Sequence, residues 1–150
     1  TNWSELGGPD LDIVVISRDT NSGTYETFEN IIMTHKNDEG EKVRERIMRG
    51  AEYVSSNGGM RQRVQSTPAA IGYAGIGFLD DTIKALSVNG VLPTRRTVQT
   101  GEYPIARPLF MFTSGYPKMG SHLFKLVTLH LTEEGQELVE EIGFVPVTSY

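Results

Sequence analysis

The chain has 150 residues, 38% hydrophobic and 22% charged, with a net charge of −5. That is one domain's worth of sequence, with no run near the roughly 20 apolar residues of a membrane span and no basic surplus suited to nucleic acid. Cysteine is absent, which excludes disulfides, thiolate metal sites and cysteine nucleophiles and suits any compartment, an oxidising extracytoplasmic one included. The first residue is Thr rather than Met, so a processed N-terminus is expected and the lack of a secretory signal carries no weight.

The apolar run Ile13, Val14, Val15, Ile16 predicts a strand that ends in Ser17 and Arg18. Four residues on, Ser22-Gly23-Thr24 opens a segment with apolar groups at Tyr25, Phe28 and Ile32, the spacing of a helix. Every residue of this strand–turn–helix junction suits a small oxyanion. The first N–H groups of a helix have no internal partner and carry the positive end of the macrodipole. Gly23 lets a ligand approach the backbone, Ser22 and Thr24 add hydroxyls, and Arg18 brings a permanently charged fork of donors. The same residues also make an ordinary capped helix, with Asp19 or Glu26 as protein partners for Arg18.

Further along, residues 35–41 are polar and predict an exposed loop. Val43, Ile47, Met48 and Ala51 share a face in a helical reading, with Arg44, Arg46 and Arg49 interleaved with Glu41, Glu45 and Glu52 as on a solvated surface. Asn57, in Ser55-Ser56-Asn57-Gly58-Gly59, is placed to cap a short helix through Met60 and Val64, and this turn is a second place where an anion or a plain cap would fit. Thr67-Pro68 stops that helix. Residues 69–78 alternate small and large groups, which predicts a strand packed closely on another backbone. Residues 83–88 before Asn89-Gly90 predict a strand entering a tight reversal, and residues 93–101 a loop. Pro104 and Pro108 before Leu109, Phe110, Met111 and Phe112 predict an extended crossing and then a strand. Two helices follow, over 121–131 and 132–142, the second with Thr132 as cap and Gly143 as stop, and then a short extended tail at 145–147. Strands alternating with helices predict an α/β fold, a mostly parallel sheet sandwiched by helices. In such sheets ligands sit beyond the carboxyl ends of the strands, where the Arg18–Thr24 turn falls.

Catalytic chemistry finds little to work with. His122 and His130 stand eight apart, His35 lies in a loop, and none shows the spacing of a helical metal pair. There is no Gly-x-Ser-x-Gly elbow and no Walker phosphate loop. Asp80-Asp81 and Glu133-Glu134 read as exposed pairs or helix starts.

Longer stretches carry a resemblance. Asn2-Trp3, Gly7-Gly8-Pro9-Asp10, Ile13-Val14-Val15, Ser17-Arg18, Ser22-Gly23-Thr24 and Phe28 resemble the second lobe of the phosphate-binding proteins of ABC phosphate importers, within the type 2 periplasmic binding proteins. Ser56-Asn57-Gly58, residues 67–73, residues 103–109, Glu134-Gly135-Gln136 and residues 143–146 extend the resemblance over essentially the whole chain.

The resemblance implies one lobe of a two-lobed flytrap, an anion-binding core over about 1–105 and a return segment with C-terminal helices over about 106–150. It implies inorganic phosphate as ligand, held from this lobe by Arg18, Ser22, Gly23 and Thr24, without metal, cofactor or catalysis. The implied partners are the membrane subunits of an ABC transporter and a first lobe of the same protein, and the implied location is extracytoplasmic, in the periplasm or at the outer face of the membrane, with or without a lipid anchor. The family's first lobe, whose aspartate accepts the proton of phosphate, has no counterpart in these residues, so the chain reads as about half of a flytrap. Sulfate, molybdate or tungstate stays open as ligand, as does a non-catalytic sensing or scaffold role. A phosphate-ester enzyme would need a nucleophile or metal cluster. The apolar residues Leu123, Phe124, Val127, Leu131, Leu138, Val139 and Ile142 are expected to face the first lobe and, without it, to drive self-association.

Overall fold

The computed structural model describes residues 2–147 and is built around β1 (Val14–Arg18), the middle strand of a parallel three-stranded sheet. On one side it pairs with β4 (Glu52–Val54), Ile16 opposite Glu52 and Arg18 opposite Val54; on the other with β5 (Ala70–Ile71), Val14 opposite Ala70. A central parallel strand is covered on both faces, and Ile16, Ser17 and Arg18 are accordingly all buried. β1 feeds α1 (Gly23–Ile31), and β4 feeds α2 (Asn57–Ser66). Met60 of α2 is buried with Ile16 in the core, and Gly72, just after β5, lets that helix close down on the sheet. A Cβ there would lie 3.2 Å from Val64 Cγ2 and 3.3 Å from the Ile16 carbonyl oxygen.

The first residues wrap the amino end of this sheet. Asn2 caps a 3-10 turn, Trp3–Leu6, and the Trp3 indole N–H donates to the Ala69 carbonyl at 2.9 Å, just before β5. Between α1 and β4 lies an antiparallel hairpin, β2 (Thr34–Lys36) with β3 (Lys42–Arg44). Its turn, residues 37–41, is most of the exposed loop expected at 35–41, and it takes the place of the helix expected from Val43 to Ala51. The Asn37 carboxamide oxygen accepts the Glu39 and Glu41 N–H groups and closes the turn, residues 42–44 pair with 34–36, the Glu45 N–H bonds the Met33 carbonyl, and Gly50 adopts a left-handed φ of 97° that no α-helix accommodates. The strand expected over 69–78 shrinks to the two residues of β5 and a 3-10 turn, Ile76–Phe78, although the close backbone approach expected there is present at Gly72.

Asn89 and Gly90 form the expected reversal, both with positive φ as a type I′ turn requires. Only Val88 and Val91 bridge across it, so the strand expected over 83–88 does not form. The loop expected at 93–101 contains α3 (Arg95–Gln99), started by a capping box between Thr94 and Thr97. The strand expected after Pro108 is also absent. Residues 107–116 are exposed, Phe112 by 88%, and no strand among the described residues runs beside them.

The two closing helices form as expected, one residue or two shorter at each end: α4 (His122–Leu129) under Ser121, and α5 (Glu133–Glu141) under Thr132. Buried Gln136 ties them together by donating to the His130 carbonyl and accepting from the Val147 N–H at 2.7 Å. Gly77 and Gly143 cross backbone to backbone and seat this pair on the rest of the chain, helped by an Arg95–Glu140 ion pair and by Gln99 Nε2 donating to the Pro146 carbonyl. Leu123, Leu131, Leu138 and Ile142 remain exposed; Phe124, Val127 and Val139 are half-buried.

Candidate functional site

Parallel pairing of β1 and β4 brings the starts of α1 and α2 to the same edge of the sheet, and the Asp19 N–H donating to the Val54 carbonyl at 3.2 Å holds the two junctions side by side. Arg18 lies between them, only 7% exposed. Its Nη1 donates to the Asn57 carboxamide oxygen at 2.6 Å and its Nη2 to the Ser55 carbonyl at 3.1 Å. Asn57 is fixed in turn, since the same oxygen accepts the Gly75 N–H at 3.3 Å. The backbone of Arg18 is held as well: its N–H donates to the Tyr73 hydroxyl at 3.2 Å, which bonds Ser17 Oγ at 2.8 Å and carries the stacked ring of Phe28 from α1, 4.1 Å between centroids.

Neither Asp19 nor Glu26 pairs with Arg18 among the described residues. The guanidinium is positioned by two neutral oxygens, so its charge is not cancelled, and its buried Nε has no hydrogen-bond partner. A buried donor left unpaired on a charged group costs more than an ordinary missing bond.

At the start of α1, Ser22 is the cap. Its oxygen accepts the N–H groups of Thr24 at 3.2 Å and Tyr25 at 3.4 Å, while its own N–H closes the turn on the Asp19 carbonyl at 3.0 Å. The turn therefore uses the backbone N–H groups of Ser22 and Thr24 internally. What it leaves open among the described residues is the Gly23 N–H, the Thr24 hydroxyl and the hydroxyl hydrogen of Ser22. Ser22, Gly23 and Thr24 thus form the capped start of α1, shortly after the strand that Arg18 ends.

Two residues outside that set adjoin it. Asn57 is not the cap of α2; Ser56 is, accepting the Gly59 N–H at 2.9 Å, which frees the Asn57 side chain to orient Arg18. A polar residue inside the first turn, rather than before it, is the sequence signal for such a role. The second is Arg107, whose guanidinium lies against Gly23 and pairs with Glu26 at 3.4 Å. Behind the site, the Tyr25 hydroxyl donates to Glu29 Oε1 at 2.7 Å, which pushes its pKa up to about 12, and Arg44 on β3 pairs with the other Glu29 oxygen.

An α/β lobe whose parallel strands end at an oriented arginine and a capped helix start defines a class of ligand-binding lobes. The PBP superfamily domain matches residues 1–128, and the chain belongs to that superfamily. It is 32% identical over 152 residues to the phosphate-binding protein PstS of Borreliella burgdorferi, covering 97% of this chain and 53% of that protein. It is 34% identical over 150 residues to PstS of Bacillus subtilis, covering 98% and 46%. The fold superposes with a TM-score of 0.78 and 31% identity on a proposed phosphate ABC transporter substrate-binding protein of Clostridium perfringens solved with bound phosphate, over 99% of this chain and 57% of that one. The chain spans about half the length of the curated relatives it matches.

Proposed function

We propose that the chain is the phosphate-capturing lobe of an extracytoplasmic substrate-binding protein that serves an ABC phosphate importer. Arg18, Ser22, Gly23 and Thr24 supply the donors, the membrane subunits of the importer are the partners, and no bond is made or broken in the ligand. The observation that carries this reading is the unpartnered Nε of a buried Arg18 whose other nitrogens are held by neutral oxygens. A guanidinium fixed in this way keeps its full charge for an anion. The phosphate-binding relatives support phosphate as the ligand, and the half-length match supports a second lobe that would close over it.

Four unpartnered donors, the buried Arg18 Nε and three at the start of α1, each contributing on the order of 1 kcal/mol net, give a dissociation constant of about 1 mM. Phosphate titration into the 15N-labelled chain, followed at the Gly23 amide, tests this. A saturable shift that disappears in Arg18→Ala supports the reading; no shift, or one indifferent to Arg18, overturns it. Sulfate serves as the control, because a lobe that offers only donors does not discriminate against it.

A further inference from the structure

Arg107 reaches the start of α1 from the far part of the chain, partly exposed, and brings a full positive charge to that helix end. Its guanidinium sits on the Cα of Gly23, so that a Cβ at that position would strike Nη2 and lie 3.3 Å from Cζ. Glu26 is its carboxylate partner, through one long contact of 3.4 Å between exposed groups, and neither Nε nor Nη2 has a hydrogen-bond partner among the described residues. A cation at this pole of a helix meets the positive end of the macrodipole. Arg18, a single tight turn away, adds a second full charge with no carboxylate of its own and a buried, unpartnered Nε. Glu26 and Asp19 are the carboxylates of this turn; Glu26 meets Arg107 through one long contact, Asp19 accepts the Asn21 N–H, and neither pairs with Arg18.

We propose that Arg107 is a second anion-binding residue of this site, contributing a guanidinium from the return segment to the same phosphate that Arg18 holds, with Gly23 lacking a side chain so that this guanidinium can enter. The inference rests on the function proposed above. A phosphate dianion is then met by two guanidinium charges instead of one, and full charge compensation favours the dianion over singly charged anions. Pro104 and Pro108 flank Arg107 and restrict the local backbone, so an anion bound by both arginines links α1 to the crossing segment.

The test is phosphate titration of the 15N-labelled chain, reading the Gly23 amide and the Nε–Hε resonances of Arg18 and Arg107. Arg107→Ala and Arg107→Gln are each expected to weaken binding about tenfold with the thermal midpoint of the chain preserved, Arg107→Lys about threefold, and the Arg107 resonance is expected to move with the same midpoint as Gly23. The glutamine variant keeps a hydrogen bond available to Glu26 without the charge, so wild-type affinity in Arg107→Gln would overturn the inference and leave Arg107 as a strut. Unchanged affinity in Arg107→Ala, with binding still lost in Arg18→Ala, overturns the inference alone. A wild-type chain indifferent to phosphate overturns it together with the proposed function.

Discussion

Replacing Asn57 with Asp is the sharpest test of why the site arginine is held by neutral oxygens. The substitution is nearly isosteric and places a carboxylate where the carboxamide oxygen now accepts Arg18 Nη1 at 2.6 Å. The fold should tolerate it, since a hydrogen bond from a charged donor to a neutral acceptor becomes an ion pair and the Gly75 N–H still has its acceptor. Anion binding should suffer. An oxygen bound at Nε would stand roughly 6 Å from the new carboxylate, and unit charges at that separation repel by about 3 kcal/mol at an effective dielectric of 20. That is about a hundredfold in affinity, moving a dissociation constant near 1 mM to about 100 mM. Phosphate titration by NMR and a thermal melt on the same sample read both effects. The signature is an unchanged or raised melting temperature with binding that no longer saturates. Wild-type affinity in N57D, with the fold intact, would refute the argument that Asn57 orients Arg18 while leaving its charge available.

Three other outcomes follow from the packing. Gly72→Ala presses a methyl onto Met60 Sδ and toward Val64 Cγ2 and the Ile16 carbonyl, and should cost about 1–3 kcal/mol, read as a melting temperature lower by about 3–8 °C; an unchanged melt would mean that Met60 swings aside and α2 does not bear on the sheet there. Tyr25, with its pKa raised from 10.0 to about 12 in the folded chain, contributes stability that is fully present below pH 10 and lost as pH rises through 12. The difference in stability between the wild type and Tyr25→Phe should therefore narrow over that window in alkaline urea titrations, and a constant difference would dissociate the shift from folding. The exposed apolar groups of α4, α5 and residues 109–112 should drive reversible self-association at micromolar concentration in sedimentation. A strictly monomeric chain would show that this surface is tolerated bare.

The α/β class and the strand–turn–helix junction at Arg18–Thr24 were more legible in the sequence than the elements between them. Local rules suffice for β1, the Ser22 cap and α1, because an apolar run, a capping hydroxyl and helical spacing act within one turn of chain, and the same holds for α4 and α5. The hairpin 34–44 was missed because the apolar groups at Val43, Ile47 and Met48 fit a helical period, while the deciding interaction, Asn37 closing the turn on Glu39 and Glu41, depends on one carboxamide. Residues 109–112 look like a strand by composition, yet a strand exists only beside another, and none of the described residues supplies one. Asn57 and Arg107 act across 39 and 81 positions of sequence, on Arg18 and Glu26 respectively, and no periodicity connects such partners.

The bond from the Trp3 indole to the Ala69 carbonyl has a practical meaning for anyone studying this chain. Trp3 is the single tryptophan, and Ala69, whose carbonyl also receives the Val14 N–H at 3.1 Å, marks the amino end of the sheet. Arg18 marks the opposite end, about 13 Å away along a five-residue strand. Intrinsic fluorescence is thus a sensor of whether the leading residues are latched onto β5. It should respond to the opening of that seam in denaturant and stay quiet while an anion is exchanged at the other edge.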